Sequence, residues 1–417
     1  MKYTLDEMIM YAYERQASDL FLRGNAVPAI RQHGKVGSTP YPLLSVDEVR
    51  ELCYSKLSPR QQAIFEQHSE MDLAYNVGEE LRIRMNVYMQ RGSCATVCRL
   101  IPTKIKSLEA LGVPPKVKDF TKHRNGLVLV TGPTGSGKTT TLAAMIDLIN
   151  EEKKVNIITL EDPIEFVHKD KEAIVSQREI GIDTENFGNA LRHVLRQAPD
   201  IILIGEMRDL ETMNIALQAA ETGHLVFATV HTASAAETLD RISNMYAPHE
   251  RPMLWLRMSV SLRGVISQKL LPKADGLGRI AAVEVMDVTP TIIKMLEDGR
   301  SDDIYTAIRS AGEDTYWGMQ TMNQCLLRYY KEGLITEQDA LANSGQFTEL
   351  RQLIRMAANK GEVSMPGMQA QQQAQAQAQQ AQQPQPQTLR PNGGSPNGGS
   401  APQAPPTVPG LPPLQPR

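Results

Sequence analysis

One stretch limits the possible folds more than any other. Residues 126–145 read GLVLVTGPTGSGKTTTLAAM, with G-x-x-x-x-G-K-T from Gly132 to Thr139 set between an apolar run and a helical one. A strand that turns through glycines into a helix gathers backbone N–H groups and the positive helix end around one point. That is a cradle for phosphate. Gly132, Pro133, Thr134, Gly135, Ser136, Gly137, Lys138, Thr139 and Thr140 are therefore candidate nucleotide-binding residues. Lys138 suits the β- and γ-phosphates, and the Thr139 hydroxyl suits Mg²⁺, so ATP and Mg²⁺ are the expected cofactors. NIITLED, DIILIGE and HLVFATVH are further short apolar runs separated by helical stretches. Such runs belong in a mainly parallel sheet buried on both faces, which makes the fold class α/β.

The run DIILIGEMRD, residues 200–209, ends in Gly205 and then Glu206. Nucleotide-hydrolysing sites of this kind usually place an aspartate there to hold Mg²⁺. Glutamate is longer and can reach across the space that glycine leaves open. Mg²⁺ commonly keeps several waters, so a carboxylate acting through water suffices. ITLEDPIEF brings Glu161, Asp162 and Glu165 to the end of another strand. Ligands of open α/β sheets bind at carboxyl ends, and one of these acids can orient the attacking water. A merely solvated acidic loop is the competing reading. His224 precedes the strand in GHLVFATVHTASA and His231 follows it. Both are expected at the mouth of the nucleotide site.

The rest of the chain divides by composition. Residues 1–100 mix helices and strands, with Thr4 and Glu7 spaced as a capping box. LRIRMNVYMQ and CATVCRLI read as a hairpin joined at Arg91-Gly92-Ser93. Residues 101–123 read as a linker with a short helix, residues 124–360 as the nucleotide-binding domain, and helices should dominate from about 254 to 358. After 360 the chain turns to Gln, Ala, Pro and Gly, with PNGGS twice and no aromatic residue, so 361–417 is expected to be disordered. A net charge of -3 argues against nucleic acid as a partner. No apolar run approaches the roughly 20 residues that span a bilayer, and the N-terminus lacks a signal-peptide core. A cytoplasmic protein able to dock on a membrane complex is expected. Its four cysteines show no zinc-finger spacing.

GPTGSGKTTT, ITLEDPIEF, ILIGEMRD and AAETGHLVFATVHT occur in the order seen in the secretion-type hexameric ATPases. With SDLFL near the start and GMQT at 318–321, the chain resembles the type IV pilus retraction branch of that family over roughly residues 1–355. The resemblance implies a PAS-like N-terminal domain, a RecA-like ATPase domain and a homohexameric ring. It places nucleotide between the two domains of one subunit, with Arg84 and Arg99 of the N-terminal domain completing the site. It assigns Lys138 and Thr139 to the phosphate loop, Glu206 to the Mg²⁺ acid, His224 and His231 to a histidine box, and Glu165 to catalysis with Glu161 in reserve. The implied role is ATP-driven pilus disassembly and twitching motility, through an inner-membrane pilus platform protein at the inner face of the cytoplasmic membrane. Pilus extension, protein secretion, nucleotide-dependent regulation and DNA translocation are the competing roles. One motif departs: where retraction ATPases read Ala-Ile-Arg-Asn-Leu-Ile-Arg-Glu-Gly-Lys, this chain reads TIIKMLEDGR, with Ile293 and Glu297 in place of two arginines.

The tail generates a direct test. Truncation after Lys360 should move the melting temperature by no more than about 2–4 °C and preserve ATP turnover. Collapse of either in the purified protein would make the tail an ordered element.

Overall fold

In the computed structural model, residues 3–362 are described apart from 33, 79, 80, 103 and 313–315. The expectation for the tail therefore falls, from 363 onward, outside the described residues.

Three helices open with the same local device. α1 (Leu5–Glu14), α2 (Val46–Tyr54) and α3 (Pro59–His68) are capped by Thr4, Ser45 and Ser58, each paired reciprocally with Glu7, Glu48 and Gln61. They accompany an antiparallel sheet of β1 (Asp19–Arg23), β2 (Ala29–Gln32), β3 (Lys35–Ser38), β4 (Glu70–Val77), β5 (Leu81–Gln90) and β6 (Ser93–Pro102). The strand order is β3-β2-β1-β6-β5-β4. Along β5, Leu81, Ile83, Met85 and Val87 are buried with Leu5, Met8 and Val49 of the helices, while Arg82 and Arg84 take the other face. The β5–β6 hairpin turns where expected, with φ of 48° at Arg91 and 75° at Gly92. Two consecutive positive φ values match the right-handed twist of the strands they join.

The second sheet contains β7 (Gly126–Thr131), β8 (Asn156–Glu161), β9 (Ile174–Glu179), β10 (Ile201–Ile204), β11 (Leu225–Val230), β12 (Leu262–Pro272) and β13 (Arg279–Asp287). Its order is β13-β12-β7-β11-β10-β8-β9. Every neighbouring pair is parallel except β12–β13. Leu127 and Leu129 enter one hydrophobic core and Val128 and Val130 another, so the sheet is buried on both faces, as the continuous apolar runs require. This is the expected RecA-like arrangement.

Two features differ from the sequence reading. β12 and β13 occupy part of the stretch expected to be helical, because they pair with each other over nine residues and extend the sheet beside β7. Residues 101–123 are also more than a tether. α4 (Leu108–Leu111) and α5 (Lys116–Asp119) lead to Phe120, and Leu108, Val117 and Phe120 are buried in the ATPase core. Phe120 lies over Gly264 of β12 so closely that a Cβ there would stand 2.2 Å from its ring.

Phe120→Ala should consequently lower the stability of the full chain by about 3–5 kcal/mol, the cost of emptying a buried aromatic site. Urea denaturation checks this, and an effect below about 1 kcal/mol would return the segment to the status of a linker.

Candidate active site

β7 delivers the chain into the phosphate loop, and three glycines there bend it. Gly132, Gly135 and Gly137 have φ of 146°, 78° and 91°. At Gly132 a Cβ would lie 2.3 Å from the Gln268 carbonyl oxygen and 2.5 Å from Ser136 Oγ, so no larger residue fits. α6 (Lys138–Glu152) then starts with Gly137 as its N-cap and no side chain capping its first amides. Lys138 is buried, and its Nζ donates to the carbonyls of Gly132 at 2.8 Å and Pro133 at 3.1 Å. Burial pulls its pKa down, opposed by the charges of Glu206 and Glu165. Ser136 Oγ is buried without a partner. A cradle of open amides, a partly desolvated ammonium and an orphaned hydroxyl fit the oxygens of a phosphate chain.

Carboxylates converge on the same cavity from the ends of two neighbouring strands, β8 and β10, and a histidine joins them from the end of β11. It is lined by Thr134, Lys138, Thr139, Glu161, Glu165, Glu206 and His231, among others. Gly205 N–H donates to the Leu160 carbonyl at 2.7 Å, and a Cβ on Gly205 would come within 3.3 Å of the Glu161 Cα. Glycine thus lets the end of β10 close on β8, and Glu206 becomes the first residue able to carry an acid. Glu206 meets His231 Nε2 at 3.2 Å and Arg208 at 2.6 Å. Partial burial pushes its carboxyl up, but the Arg208 hydrogen bond and the charges of His231, Arg208 and Lys138 hold it below the ordinary glutamate range. Glu161 is buried, and its Oε1 accepts from Thr159 at 2.6 Å and Gln177 at 2.9 Å. Glu165 is half-buried and has no hydrogen-bond or ion-pair partner among the described residues.

Not every expected residue arrives. His224 sits before β11 and His231 after it, and a strand rises about 3.3 Å per residue, so they lie at opposite edges of the sheet. His224 Nδ1 is 2.9 Å from the Ala219 carbonyl oxygen and does not line the cavity. Arg84 and Arg99 face each other across β5 and β6, exposed and away from it, and Arg99 is paired with Asp19 at 3.1 Å. The N-terminal arginine that does cross to the ATPase domain is Arg82, which meets Glu179 at 2.9 Å. Thr140 lies one residue beyond the lining position of α6, while Pro133 and Ser136 line an adjoining cleft on the other side of the loop. Arg208, inside the GEMRD stretch, joins the site without having been singled out. Among the described residues no three His, Cys, Asp or Glu cluster to hold a metal. Thr139 and Glu206 in one cavity instead suit a Mg²⁺ ligated mainly by phosphate and water.

A phosphate loop feeding a parallel sheet, with acids gathered at the strand ends, defines the class: a P-loop ATPase. Residues 1–382 match the family of type II/IV secretion system proteins. The type IV pilus retraction ATPase PilT of Pseudomonas aeruginosa is 44% identical over 336 residues, covering 81% of this chain and 96% of that one. A twitching motility protein of Neisseria gonorrhoeae is 42% identical over 313 residues, covering 75% and 83%. A crystal structure of the pilus retraction motor PilT with bound ADP has a TM-score of 0.79 and 42% identity, covering 84% of this chain and 100% of its own. The chain belongs to the type II/IV secretion system ATPases, in the PilT family of retraction motors.

Glu161 yields a pH test. Burial raises its carboxyl above the ordinary value of 4.5. An acid held protonated more tightly when folded contributes less stability as pH climbs from that ordinary value towards the folded one. Glu161→Gln removes the charge yet keeps an oxygen to accept from Thr159 and Gln177. The variant should melt at or above wild type at about pH 8, and the difference should close near about pH 4. A lower melting temperature at about pH 8 would show that the buried charge itself is stabilising.

Proposed function

We propose that this protein is the motor for type IV pilus retraction, hydrolysing ATP to drive pilin disassembly and twitching motility. The observation that carries the reading is the meeting of Lys138, Thr139, Glu165 and Glu206 in one cavity, within a chain 44% identical to a PilT over 96% of its length. Lys138 gives up the loop carbonyls for the β- and γ-phosphate oxygens, which restores a counter-charge to its desolvated ammonium. Glu165, unpartnered, orients the water and accepts its proton as the terminal phosphoryl group departs. Glu206, held by Arg208 and His231, fixes the water shell on the loop side. Mg²⁺ beside Thr139 and Glu206 would supply charge neutralisation between the phosphates. His231 connects the acid to the strand end and so feels the loss of that charge after cleavage.

Six copies in a ring, acting on an inner-membrane platform protein from the cytoplasmic side, complete the proposal. No helix among the described residues is long and apolar enough to cross a membrane, so contact with the platform would be by docking. The helix of the TIIKMLEDGR stretch forms without the two arginines found there in retraction ATPases. Ile292 and Leu296 are buried there, and Lys294 pairs with Glu297 and Asp298, so the helix keeps its packing while its surface charge changes.

Lys138→Ala should abolish nucleotide binding, while Glu206→Gln should still bind and lose turnover by about a hundredfold. In the native host, deletion should leave surface pili in excess without twitching. Near-wild-type turnover in Glu206→Gln would remove that residue from the mechanism, and loss of pili on deletion would indicate extension instead.

A further inference from the structure

The segment carrying Glu165 leaves β8 as a loop, and β9 grips that loop at alternate residues. Ile164 N–H donates to Glu179 Oε2 at 3.1 Å. Gln177 Nε2 donates to the Phe166 carbonyl at 2.8 Å, and His168 N–H donates to Gln177 Oε1 at 2.7 Å. Glu165 thus projects from an interval whose two neighbours are both tied down. The Ile164 tie depends on the other domain. Arg82 of β5 sends Nε to the Ile164 carbonyl at 2.9 Å and Nη2 to Glu179 Oε2 at 2.9 Å. One guanidinium therefore closes a three-membered clasp with the peptide of Ile164 and the carboxylate of Glu179.

The clasp is buried. The side chains of Arg82 and Glu179 are 14% and 7% exposed, and Ile164 is 9% exposed. Glu179 also stands directly beside Glu161 in the β8–β9 register. Without Arg82, Glu179 would be a buried carboxylate next to another acid, a state a protein relieves by rearranging. The Ile164 carbonyl would lose its donor in the same step.

We propose that Arg82 is a positioning residue for hydrolysis: docked, it locks the Ile164 peptide and aims Glu165 into the cavity; withdrawn, it frees the loop. Cleavage is then coupled to contact between the N-terminal sheet and the ATPase sheet of one chain. This rests on Glu165 as the water-orienting acid. Arg82 touches no nucleotide in this scheme, which separates it from the roles expected of Arg84 and Arg99.

The test uses the full-length protein. Arg82→Gln should bind nucleotide with a Kd within about threefold of wild type and lose at least about tenfold in kcat. Arg82→Lys, which keeps a charge for Glu179 but not the fork, should recover part of that loss. Amide exchange across residues 160–168, read by mass spectrometry without nucleotide, should rise in Arg82→Gln and less in Arg82→Lys. A purely structural role would not produce this split of kcat from Kd with graded exchange. A kcat within twofold of wild type in Arg82→Gln, a loss confined to KM, or unchanged exchange would overturn the proposal. Should Arg82→Gln not fold, wild-type kcat and exchange in Arg82→Lys would overturn it equally. Glu165→Gln run in parallel separates the two ideas: if it turns over like wild type, the assignment of Glu165 fails, whereas an inactive Glu165→Gln beside an unimpaired Arg82→Gln sinks only the clasp.

Discussion

The phosphate loop keeps its shape because β12 presses against it. The Gln268 carbonyl occupies the space where a Cβ of Gly132 would stand, at 2.3 Å. The Gln268 side chain accepts from Thr141 of α6 at 2.8 Å, and Thr131 at the end of β7 donates to Ser267 at 2.9 Å. One short stretch of β12 therefore holds the strand before the loop, the loop's first glycine and the helix after it. All of these contacts are buried, so they compete with no water and fix the direction of the amides that face phosphate. The acids opposite face a side of the cavity held by these buried contacts.

Charge is managed differently on the two sides of that frame. Lys138 is desolvated and lowered by burial, and Glu206 and Glu165 offset part of that cost. Further along, Glu284 of β13 is fully buried and raised by burial, yet its oxygens accept the first N–H groups of the helices Ala235–Asn244 and Met322–Lys331, at 2.8 and 3.2 Å. The positive ends of two helices meet one carboxylate. That carboxylate ties the helix just beyond His231 to the C-terminal helical region, so the site's far wall is anchored in residues long after the motifs.

Much of this was legible in the sequence for local reasons. The glycine spacing of 132–137 dictates its own turn, and apolar runs such as LVLV and IILI, short and rich in β-branched residues, suit buried strands. Capping boxes announce helix starts without help from the rest of the fold. What was not legible depends on register. Arg82 and Arg84 share a strand face and differ by one pleat, yet only the first reaches β9. His224 and His231 bracket one strand in the sequence, which puts them at opposite ends of it in space. β12 and β13 were hidden because a long-range partner, rather than their own residues, makes them strands. Phe120 looked like linker for the same reason: Gly264, which receives it, is remote in sequence.

The support given by β12 also has a bearing on how the protein is made. Thr131 and Ser267 are 136 residues apart in the chain. During synthesis from the N-terminus, the motif that defines the nucleotide site leaves the ribosome long before the strand that gives it form. At about 5–20 residues per second, seconds pass between the two events. Through that interval the nascent chain carries every residue of the phosphate loop, its turn-making glycines included, but not the Gln268 carbonyl and side chain that brace it. The braced form of the loop therefore arrives only with the closing of the sheet.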